Sequence, residues 1–409
     1  MTNAPFSSST DLSAVGWTRQ KHSDTILKAV KESDAEYVDF RFTDPKGTWH
    51  HLTVHRDAVD AETLEKGLMF DGSSIAGWKS IEDSDMNLLP DGSRLSLDPF
   101  TTHRTLIIFC NVHEVDGTAY IRDPRSIALR AEAYLKETGI ADEICLGPEP
   151  EFFLFDEAHY ATGSSNSFYN LNSSEGDYPG GPFADRDDMR ERNFGHRPMP
   201  KAGYFRVAPV DSGTDIRAEM LDVINTMGLK GEKSHHEVAA SQHELGFKYG
   251  SLMETADNLQ IFKYAVRNVA HENGKTATFM PKPVYGDNGS GMHVHQSLPY
   301  SASNRSAAVR IPHVTNQQTK RIETRFPDAS ANPYLCLAAL MMAGLDGIKN
   351  RIEPVEAMEQ NLYDASQNEM GEDETLCTSL QDALRALDAD RDFLKQGGVF
   401  MDDQIPTSL

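Results

Sequence analysis

Cysteine is scarce in this sequence of 409 residues, and its spacing excludes two classes of small fold. The four cysteines lie far apart and form no CxxC pair (Cys110, Cys145, Cys336 and Cys377). A disulfide scaffold and a zinc knuckle both need closely spaced cysteines, so the sequence supports neither. We therefore expect a protein of a reducing compartment, the cytoplasm.

Long hydrophobic runs are also missing. The longest apolar stretch, residues 334–345, ends at Asp346 and is too short to span a bilayer. Residues 1–9 lack the basic segment followed by an apolar one that a secretory signal would carry. The sequence therefore predicts no membrane association.

Basic residues are outnumbered and scattered. The chain has 62 acidic and 39 basic side chains, a formal net charge of -23, and no run of Lys and Arg. Such a chain repels nucleic acid and anionic lipid, so we expect neither as a partner. The hydrophobic content of 39% is ordinary for a folded enzyme of one large or two modest domains.

A Walker phosphate-binding loop is absent as well. Residues 231–234 (GEKS) have a glutamate between glycine and lysine, and no glycine stands at the upstream spacing that this loop needs. Residues 287–291 (DNGSG) could present backbone amides to an anion or could form a simple turn. Any nucleotide must therefore bind in another way.

Residues 24–122 predict a small, sheet-rich N-terminal unit. Residues 38–42 (VDFRF) alternate apolar and charged side chains, as a half-buried strand does. A helix is predicted at 24–32 and further strands at 48–55 and 105–112. Residues 1–23 start Ser-rich and are expected to be a mobile extension.

Residues 123–409 alternate predicted helices and strands, an α+β pattern typical of a catalytic domain. Asp123 suits a helix N-cap, Pro124 the first helical position and Gly139 the helix end. Residues 157–203 show almost no periodicity, which indicates either a long ordered loop at a site or subunit contact, or disorder. Similar signals bracket helices at 214–228, 255–274 and 332–350, and strand-like segments lie at 145–156, 290–298, 306–312 and 320–326.

Three of these strands carry charged or polar side chains two residues apart, which places them on one side of a strand. Any one of these polar faces could be a solvated sheet face, but the presence of three such faces in one sequence favours a shared site. Pro150 cannot donate a ladder hydrogen bond and predicts an edge or bulged position. The three sets are Glu149 with Glu151, His293 with His295, and Arg321 with Glu323 and Arg325.

Glu237 and Glu244 extend the acidic set. A spacing of seven residues places two side chains on one face of a helix but on opposite faces of a strand. A turn near residues 240–241 would bring both into one cavity, which the sequence leaves open.

The chemistry of these residues favours metal-assisted phosphoryl transfer. Five carboxylates and His293, without a cysteine ligand, suit Mg²⁺ or Mn²⁺ better than structural zinc. Metal ions and guanidinium groups together neutralise the charge of a moving phosphoryl group. The arginines available for this are Arg305, Arg310, Arg321 and Arg325.

Five motifs, in chain order, resemble those of the type I (bacterial) glutamine synthetase family. They are residues 69–75 (MFDGSSI), 147–151 (GPEPE), 235–238 (HHEV), 288–293 (NGSGMH) and 321–328 (RIETRFPD). The resemblance covers most of the chain. It implies an α+β fold with a small β-grasp domain at 24–122 and a catalytic domain at 123–409, an antiparallel β-sandwich or half-barrel with flanking helices. It also implies a homo-oligomer, twelve subunits in two stacked hexameric rings.

The resemblance further implies an activity: ATP-dependent ligation of ammonia to L-glutamate through γ-glutamyl phosphate. By resemblance, Glu151, Glu237 and Glu244 hold one Mg²⁺ or Mn²⁺ ion. Glu149, His293 and Glu323 hold the second ion, which touches the transferred phosphate.

Further roles follow from the same resemblance. Asp71, which binds and deprotonates ammonium across a subunit boundary, and Arg305 are the implied catalytic residues. Tyr363 matches a tyrosine that an adenylyltransferase modifies in one branch of the family. The implied contacts are Glu232, His295 and Ser297 with ATP, Arg305, Arg310 and Arg321 with its phosphates, and Asn288, Gly289 and Arg325 with glutamate.

The sequence also departs from the family pattern. Near residues 298–301 it lacks several dozen residues that normally supply a glutamate-binding arginine and a flap glutamate. Gln318 replaces a usual lysine, and the sequence stops at Leu409 before the family's C-terminal helix and strand, which predicts a weakened oligomer. Three functions stay open: an impaired glutamine synthetase, a non-catalytic subunit that co-assembles with a full-length one, and a γ-glutamyl ligase for another amine. The intact Asp71 loop favours ammonia over another amine.

Overall fold

The computed structural model describes residues 19–176, 195–297, 308–313, 320–353, 376–377 and 379–405. Arg305, Gln318 and Tyr363 lie outside these residues. The chain divides into two compact units, the first made of Met1–Cys145, Gly250–Asp257 and Ala331–Leu409, the second of Leu146–Tyr249 and Asn258–Ser330. Among the described residues, every helix is too short or too polar to cross a membrane.

The described residues contain seven α-helices. They are α1 (Arg19–Ser33), α2 (Ala61–Lys66), α3 (Pro124–Thr138), α4 (Thr214–Thr226), α5 (Leu252–Glu272), α6 (Pro333–Asn350) and α7 (Leu380–Ala389).

They also contain fourteen β-strands. These are β1 (Tyr37–Thr43), β2 (Trp49–His55), β3 (Leu68–Asp71), β4 (Asp85–Leu97), β5 (Thr105–His113), β6 (Leu146–Phe155), β7 (Glu157–Thr162), β8 (Ser167–Asn172), β9 (Gly231–His236), β10 (Gln242–Phe247), β11 (Thr276–Thr278), β12 (Met292–Gln296), β13 (Val309–Arg310) and β14 (Ile322–Thr324).

Helix ends fall where the capping residues predict them. The Asp123 carboxylate accepts hydrogen bonds from the backbone N–H groups of Arg125 and Ser126 at the start of α3, and Gly139 ends that helix in the left-handed conformation. Asn332 caps α6 in the same way. Both predicted helices are confirmed, because their signals act within a single turn.

The first unit contains a five-stranded mixed sheet in the order β2-β1-β5-β4-β3. The central pair, β1 and β5, is parallel, whereas the other pairs are antiparallel. Helix α1 packs on this sheet and buries Ile26 in its core. This arrangement agrees with the predicted N-terminal β-grasp domain.

The prediction that β1 is half-buried is wrong. Asp39 and Arg41, on its polar face, are both buried. Arg41 donates hydrogen bonds of 2.6 Å to both Asp39 and Asp98, and its guanidinium lies over the Trp49 ring. The alternation of apolar and charged residues identifies the two faces of a strand. It does not show that the charged face is also buried, which is possible here because its charges are paired.

Helix α1 begins at Arg19, five residues before the predicted start at Asp24. Its first turns are anchored by His22, which is buried and accepts a 2.8 Å hydrogen bond from the Gly92 backbone N–H through Nδ1. This contact joins residues 70 positions apart, so no local signal could predict it.

The second unit contains a seven-stranded sheet in the order β13-β14-β12-β6-β10-β9, with β11 also paired to β6. Strand β6 is central in this sheet, but the edge position predicted at Pro150 is present locally. The register of β6 with β10 starts only at Glu151. The Glu151 N–H points to the β12 side, where it donates a 3.1 Å hydrogen bond to the carbonyl of Gly291, the residue before β12. Since N–H groups alternate along a strand, the Pro150 nitrogen faces the other side, where β10 does not pair with it.

Part of residues 157–203 is regular, contrary to the prediction. Strands β7 and β8 form a separate antiparallel hairpin, with Tyr160 opposite Tyr169. Most side chains of β7 are exposed, so its two faces are not distinguished by hydrophobicity. A strand of this kind carries no periodic signal.

Candidate active site

Strand registers bring the polar side chains of the second unit together. Glu149 on β6 lies opposite His293 on β12, and His295 on β12 lies opposite Glu323 on β14. On the other side of β6, Glu151 lies opposite Glu244 on β10. Side chains directly opposite each other on neighbouring strands are within contact distance. The three polar strand faces therefore form one shared site, as their spacing predicted.

The first group of possible metal ligands is Glu149, His293 and Glu323, which we call the cation-rich cluster. One ligand atom from each lies within 4.8 Å of the others. His293 Nδ1 is 3.8 Å from Glu149 Oε2 and 3.6 Å from Glu323 Oε1.

Basic side chains surround this cluster. Arg310 Nη1 donates a 2.6 Å hydrogen bond to Glu323, and Arg325 donates to the other oxygen of the same carboxylate. Lys233 Nζ is 3.0 Å from Glu149 Oε1. Burial alone would raise both carboxyl pKa values. Instead, His293 and His295 hold the pKa of Glu149 well below its ordinary range, and Arg310 and Arg325 lower that of Glu323.

The second group is His235, Glu237 and Glu244, whose ligand atoms also lie within 4.8 Å of one another. With the neighbouring Glu151, we call it the acid-rich cluster. A turn between β9 and β10, in which Ser241 has a positive φ of 66°, reverses the chain between Glu237 and Glu244. The turn suggested by the sequence is therefore present, and both carboxylates reach one site.

Carboxylates outnumber cations in the acid-rich cluster. Burial, followed by repulsion from Glu237 and Glu244, raises the pKa of Glu151 to about 9. Burial and the Glu244 charge raise the pKa of Glu237 to about 7. The Gln242 amide and the Gly291 N–H donate hydrogen bonds of 2.6 and 3.1 Å to Glu151 Oε2 but bring no charge.

The donor set fits a divalent cation. Glu244 Oε1 is buried without a hydrogen-bond partner among the described residues. The nearest basic nitrogens, His235 Nε2 at 3.3 Å and Lys233 Nζ at 3.5 Å, are beyond ordinary hydrogen-bond length. Carboxylate oxygens with one imidazole suit Mg²⁺ or Mn²⁺.

The three residues predicted to contact ATP lie on or directly after strands β9 and β12. His295 Nε2 is 3.5 Å from Glu149, and its Nδ1 accepts a 3.1 Å hydrogen bond from Arg321 Nε. Ser297 is exposed directly after β12. Glu232 is exposed on β9 at a bulge, because the register with β10 passes from Lys233 to Gly231 and skips it.

Asn288 and Gly289, predicted to bind glutamate, lie in the loop before β12. The Gly289 carbonyl accepts a 2.9 Å hydrogen bond from Gln242, and a Cβ atom at Gly289 would lie only 2.3 Å from the Pro281 carbonyl oxygen. The N–H groups of Ser290 and Gly291 donate to Pro281 O and Glu151. This internal bonding favours a structural turn over an anion-binding loop.

Asp71 belongs to the first unit. It ends β3 and is exposed, and its carboxylate accepts hydrogen bonds from Ser73 N, Ser73 Oγ and Ser74 Oγ at 2.6–2.9 Å. The hydrogen bonds from Ser73 and Ser74 lower its pKa. Arg305 and Tyr363 lie outside the described residues.

Sequence reasoning missed three residues of this site. Lys233 and His235 precede Glu237 at intervals of two residues, and Gln242 precedes Glu244 at the same interval. This is the spacing that identified the other strands. Applied to residues 231–247, it would have found all three.

Comparison with known proteins agrees with these features. A family model described as "Glutamine synthetase, beta-Grasp domain" matches residues 34–115. One described as "Glutamine synthetase, catalytic domain" matches 121–299 and 298–407, two segments that meet where the sequence predicted an internal gap.

Bacterial relatives align over nearly the whole chain. A glutamine synthetase of Rhizobium meliloti (strain 1021) is 47% identical over 443 positions, covering 94% of this chain and 93% of the relative. The glutamine synthetase of Escherichia coli (strain K12) is 47% identical over 447 positions, covering 93% of each chain. Since 94% of 409 residues is about 384, about 59 of the 443 positions have no counterpart in this chain.

Solved structures share the fold. A cryo-EM structure of Plasmodium falciparum glutamine synthetase matches 94% of this chain and 93% of its own with a TM-score of 0.81 at 24% identity. A structure described as "Apo GmaS without ligand" matches 93% of each chain with a TM-score of 0.74 at 23% identity. With the bacterial relatives and the two family models, these matches show that the chain belongs to the glutamine synthetase family, in the bacterial type I form that its motifs predict.

Proposed function

We propose that this chain ligates ammonia to the γ-carboxylate of L-glutamate at the expense of ATP, with γ-glutamyl phosphate as the intermediate. The observation that carries the proposal is the convergence of two carboxylate clusters and three arginines on one sheet of the second unit. Phosphoryl transfer needs this combination, because negative charge spreads over the transferred group.

Two divalent ions, Mg²⁺ or Mn²⁺, are assigned to the clusters. Glu149, His293 and Glu323 would hold one, and Glu151, Glu237 and Glu244 the other. His235, whose Nδ1 is 3.4 Å from Glu237, stands close enough to orient or join the second set. When bound, the ions supply positive charge that neutralises the phosphate oxygens.

The chain's own side chains position the substrates. Glu232, His295 and Ser297 are assigned to ATP, and Arg305, Arg310 and Arg321 to its phosphates. Asn288, Gly289 and Arg325 are assigned to glutamate. Guanidinium groups suit these tasks because they form paired hydrogen bonds with phosphate and carboxylate oxygens.

The reaction has two steps. A γ-carboxylate oxygen of glutamate attacks the γ-phosphorus of ATP, and the bond to the ADP oxygen breaks. Ammonia then attacks the acyl carbon, phosphate leaves with the bonding electrons, and the nitrogen loses a proton. Asp71 is assigned to bind ammonium and to accept a proton from it; the hydrogen bonds from Ser73 and Ser74 lower its pKa, which favours the ionised form that attracts the cation.

Several further assignments belong to this proposal. The domains are a β-grasp domain at 24–122 and a catalytic domain at 123–409. The protein acts in the cytoplasm as a homo-oligomer, with Asp71 serving the site of a neighbouring subunit. Tyr363 is assigned as the target of an adenylyltransferase.

The internal gap bears on catalytic efficiency. The resemblance assigns a glutamate-binding arginine and a flap glutamate to the segment that has no counterpart near residues 298–301. Without them, water competes with ammonia for the acyl phosphate, and glutamate is held less firmly in line with ATP. We therefore propose reduced synthesis with some uncoupled ATP hydrolysis. The gap also favours the second candidate, a subunit that co-assembles with a full-length one.

The test is to measure phosphate and glutamine release on one sample with ATP, glutamate, ammonium and Mg²⁺. We expect both products, with phosphate in excess, and loss of both in Glu323→Gln and Glu237→Gln. Glu157→Gln, an exposed change on β7, is the matched control and should leave both rates unchanged.

Three outcomes separate the candidates. Equal release of the two products at a rate typical of the family would contradict the proposed impairment. Release of neither product, with this chain eluting in one complex with a full-length relative, would favour the co-assembling subunit. Synthesis with an alkylamine but not with ammonium would favour the γ-glutamyl-amine ligase.

A further inference from the structure

Lys233 lies at an unusual place in the sheet. It sits on β9 opposite Gly246 of β10, next to the bulge at Glu232. Its aliphatic stem passes over Gly246, since a Cβ atom added there would lie 2.9 Å from both Cγ and Cε of the lysine. The glycine therefore provides the space through which the lysine crosses β10.

The ammonium group reaches both clusters. Nζ is 3.0 Å from Glu149 Oε1 in the cation-rich cluster and 3.5 Å from Glu244 Oε1 in the acid-rich cluster. One positive charge is thus shared between a carboxylate assigned to each metal.

The contact is suited to displacement. The side chain of Lys233 is 52% exposed, whereas those of Arg310 and Arg325 are 17% and 21% exposed. A flexible lysine that borders solvent can withdraw into water, which hydrates its ammonium group, and a partly exposed ion pair of this kind is weak. A divalent cation has twice the charge and competes effectively for the same oxygens.

We propose that Lys233 is an internal counterion that competes with divalent metal for Glu149 and Glu244 and thereby lowers the affinity of both metal sites. The inference rests on the metal assignment made under the proposed function. Because one ammonium serves both clusters, binding of the first ion releases it from both, so that the second ion binds more tightly than it otherwise would.

The test compares Mn²⁺ binding to the full chain, by calorimetry and by electron paramagnetic resonance, in wild type, Lys233→Met and Lys233→Arg. Methionine keeps the length of the stem without the charge. We expect Lys233→Met to bind the first Mn²⁺ about three- to tenfold more tightly, and Lys233→Arg to stay near wild type. Lys230→Met, an exposed change three residues earlier, is the control for net charge.

The direction of the effect separates the proposal from simple damage. A disrupted site binds metal more weakly, so tighter binding in Lys233→Met cannot come from misfolding. Equal or weaker binding by a folded Lys233→Met would overturn the proposal, as would equal tightening in Lys230→Met. If Lys233→Met fails to fold, Lys233→Gln replaces it with the same expectation. If wild type and all variants fail to bind Mn²⁺, the metal assignment itself is wrong.

Discussion

The two carboxylate clusters of the second unit share a sheet but differ in how their charge is balanced. In the cation-rich cluster, arginine, lysine and histidine side chains surround Glu149 and Glu323, and the pKa values of both carboxylates are lowered. In the acid-rich cluster, the pKa values of Glu151 and Glu237 are raised to about 9 and 7. The same residue type thus meets opposite conditions within a few ångströms.

This difference indicates that the two clusters bind metal under different conditions. In the acid-rich cluster, carboxylates outnumber basic side chains, and a cation that binds there takes the place of the protons that Glu151 and Glu237 retain. The cation-rich cluster is already neutralised by side chains that are assigned to phosphate and glutamate. We infer that its affinity for metal increases when these substrates engage the arginines. Four predictions test the contrast, from the largest expected effect to the smallest.

Glu323→Ala should destabilise the metal-free protein by about 3 kcal/mol, because it leaves Arg310 and Arg325 close together without their shared carboxylate. Urea unfolding with EDTA present measures the change. The isosteric Glu323→Gln, which keeps hydrogen-bond capacity, should cost less. A loss below about 1 kcal/mol in the alanine variant would show that the arginines find other partners.

Saturating Mn²⁺ should stabilise the wild-type protein by about 2.7 kcal/mol at a hundred times its Kd, since the ion binds only the folded cluster. EDTA should reverse the rise in Tm. Glu237→Gln should bring the stabilisation close to zero, whereas Glu157→Gln should retain it. A melting curve unaffected by Mn²⁺ in the wild type would contradict the metal assignment.

The metal-free protein should lose stability progressively as pH rises from 5 to 8. The ordinary pKa of a glutamate is 4.5, whereas the pKa values of folded Glu237 and Glu151 are about 7 and about 9. Between pH 4.5 and these values, the unfolded chain has released protons that the folded protein retains, so rising pH favours unfolding. The carboxylates with lowered pKa values lose their contribution only at more acidic pH. Denaturant titrations in EDTA from pH 5 to 9 provide the measurement, and a profile that rises with pH would be the opposite result.

Glu237→Gln should stabilise the metal-free protein at pH 8 by about 1 kcal/mol, since it removes one of the crowded charges. It should also flatten the pH profile near pH 7. The sign is opposite to that expected for Glu323, although both residues are buried glutamates of the second unit. If Glu237→Gln destabilised the protein as the substitution of Glu323 does, the inferred difference in charge balance between the two clusters would be wrong.

Much of the local structure could be predicted from the sequence. The ends of α3 and α6 follow from Asp123, Gly139 and Asn332, because a cap acts within one helical turn. The spacing of two residues also identified most of the polar strand faces, because side chains of a strand alternate. The same rule places Glu149 and Glu151 on one face of β6.

The sequence by itself therefore determined which side chains share a face, where several helices end and to which family the chain belongs. Only the tertiary structure decided which strands pair and in what register, such as Glu149 opposite His293, 144 positions away. It also decided that Asp39 and Arg41 are buried and that Lys233 crosses Gly246 to reach both clusters. Backbone geometry and capping act over a few residues, whereas burial and charge balance depend on groups that come together only when the chain folds.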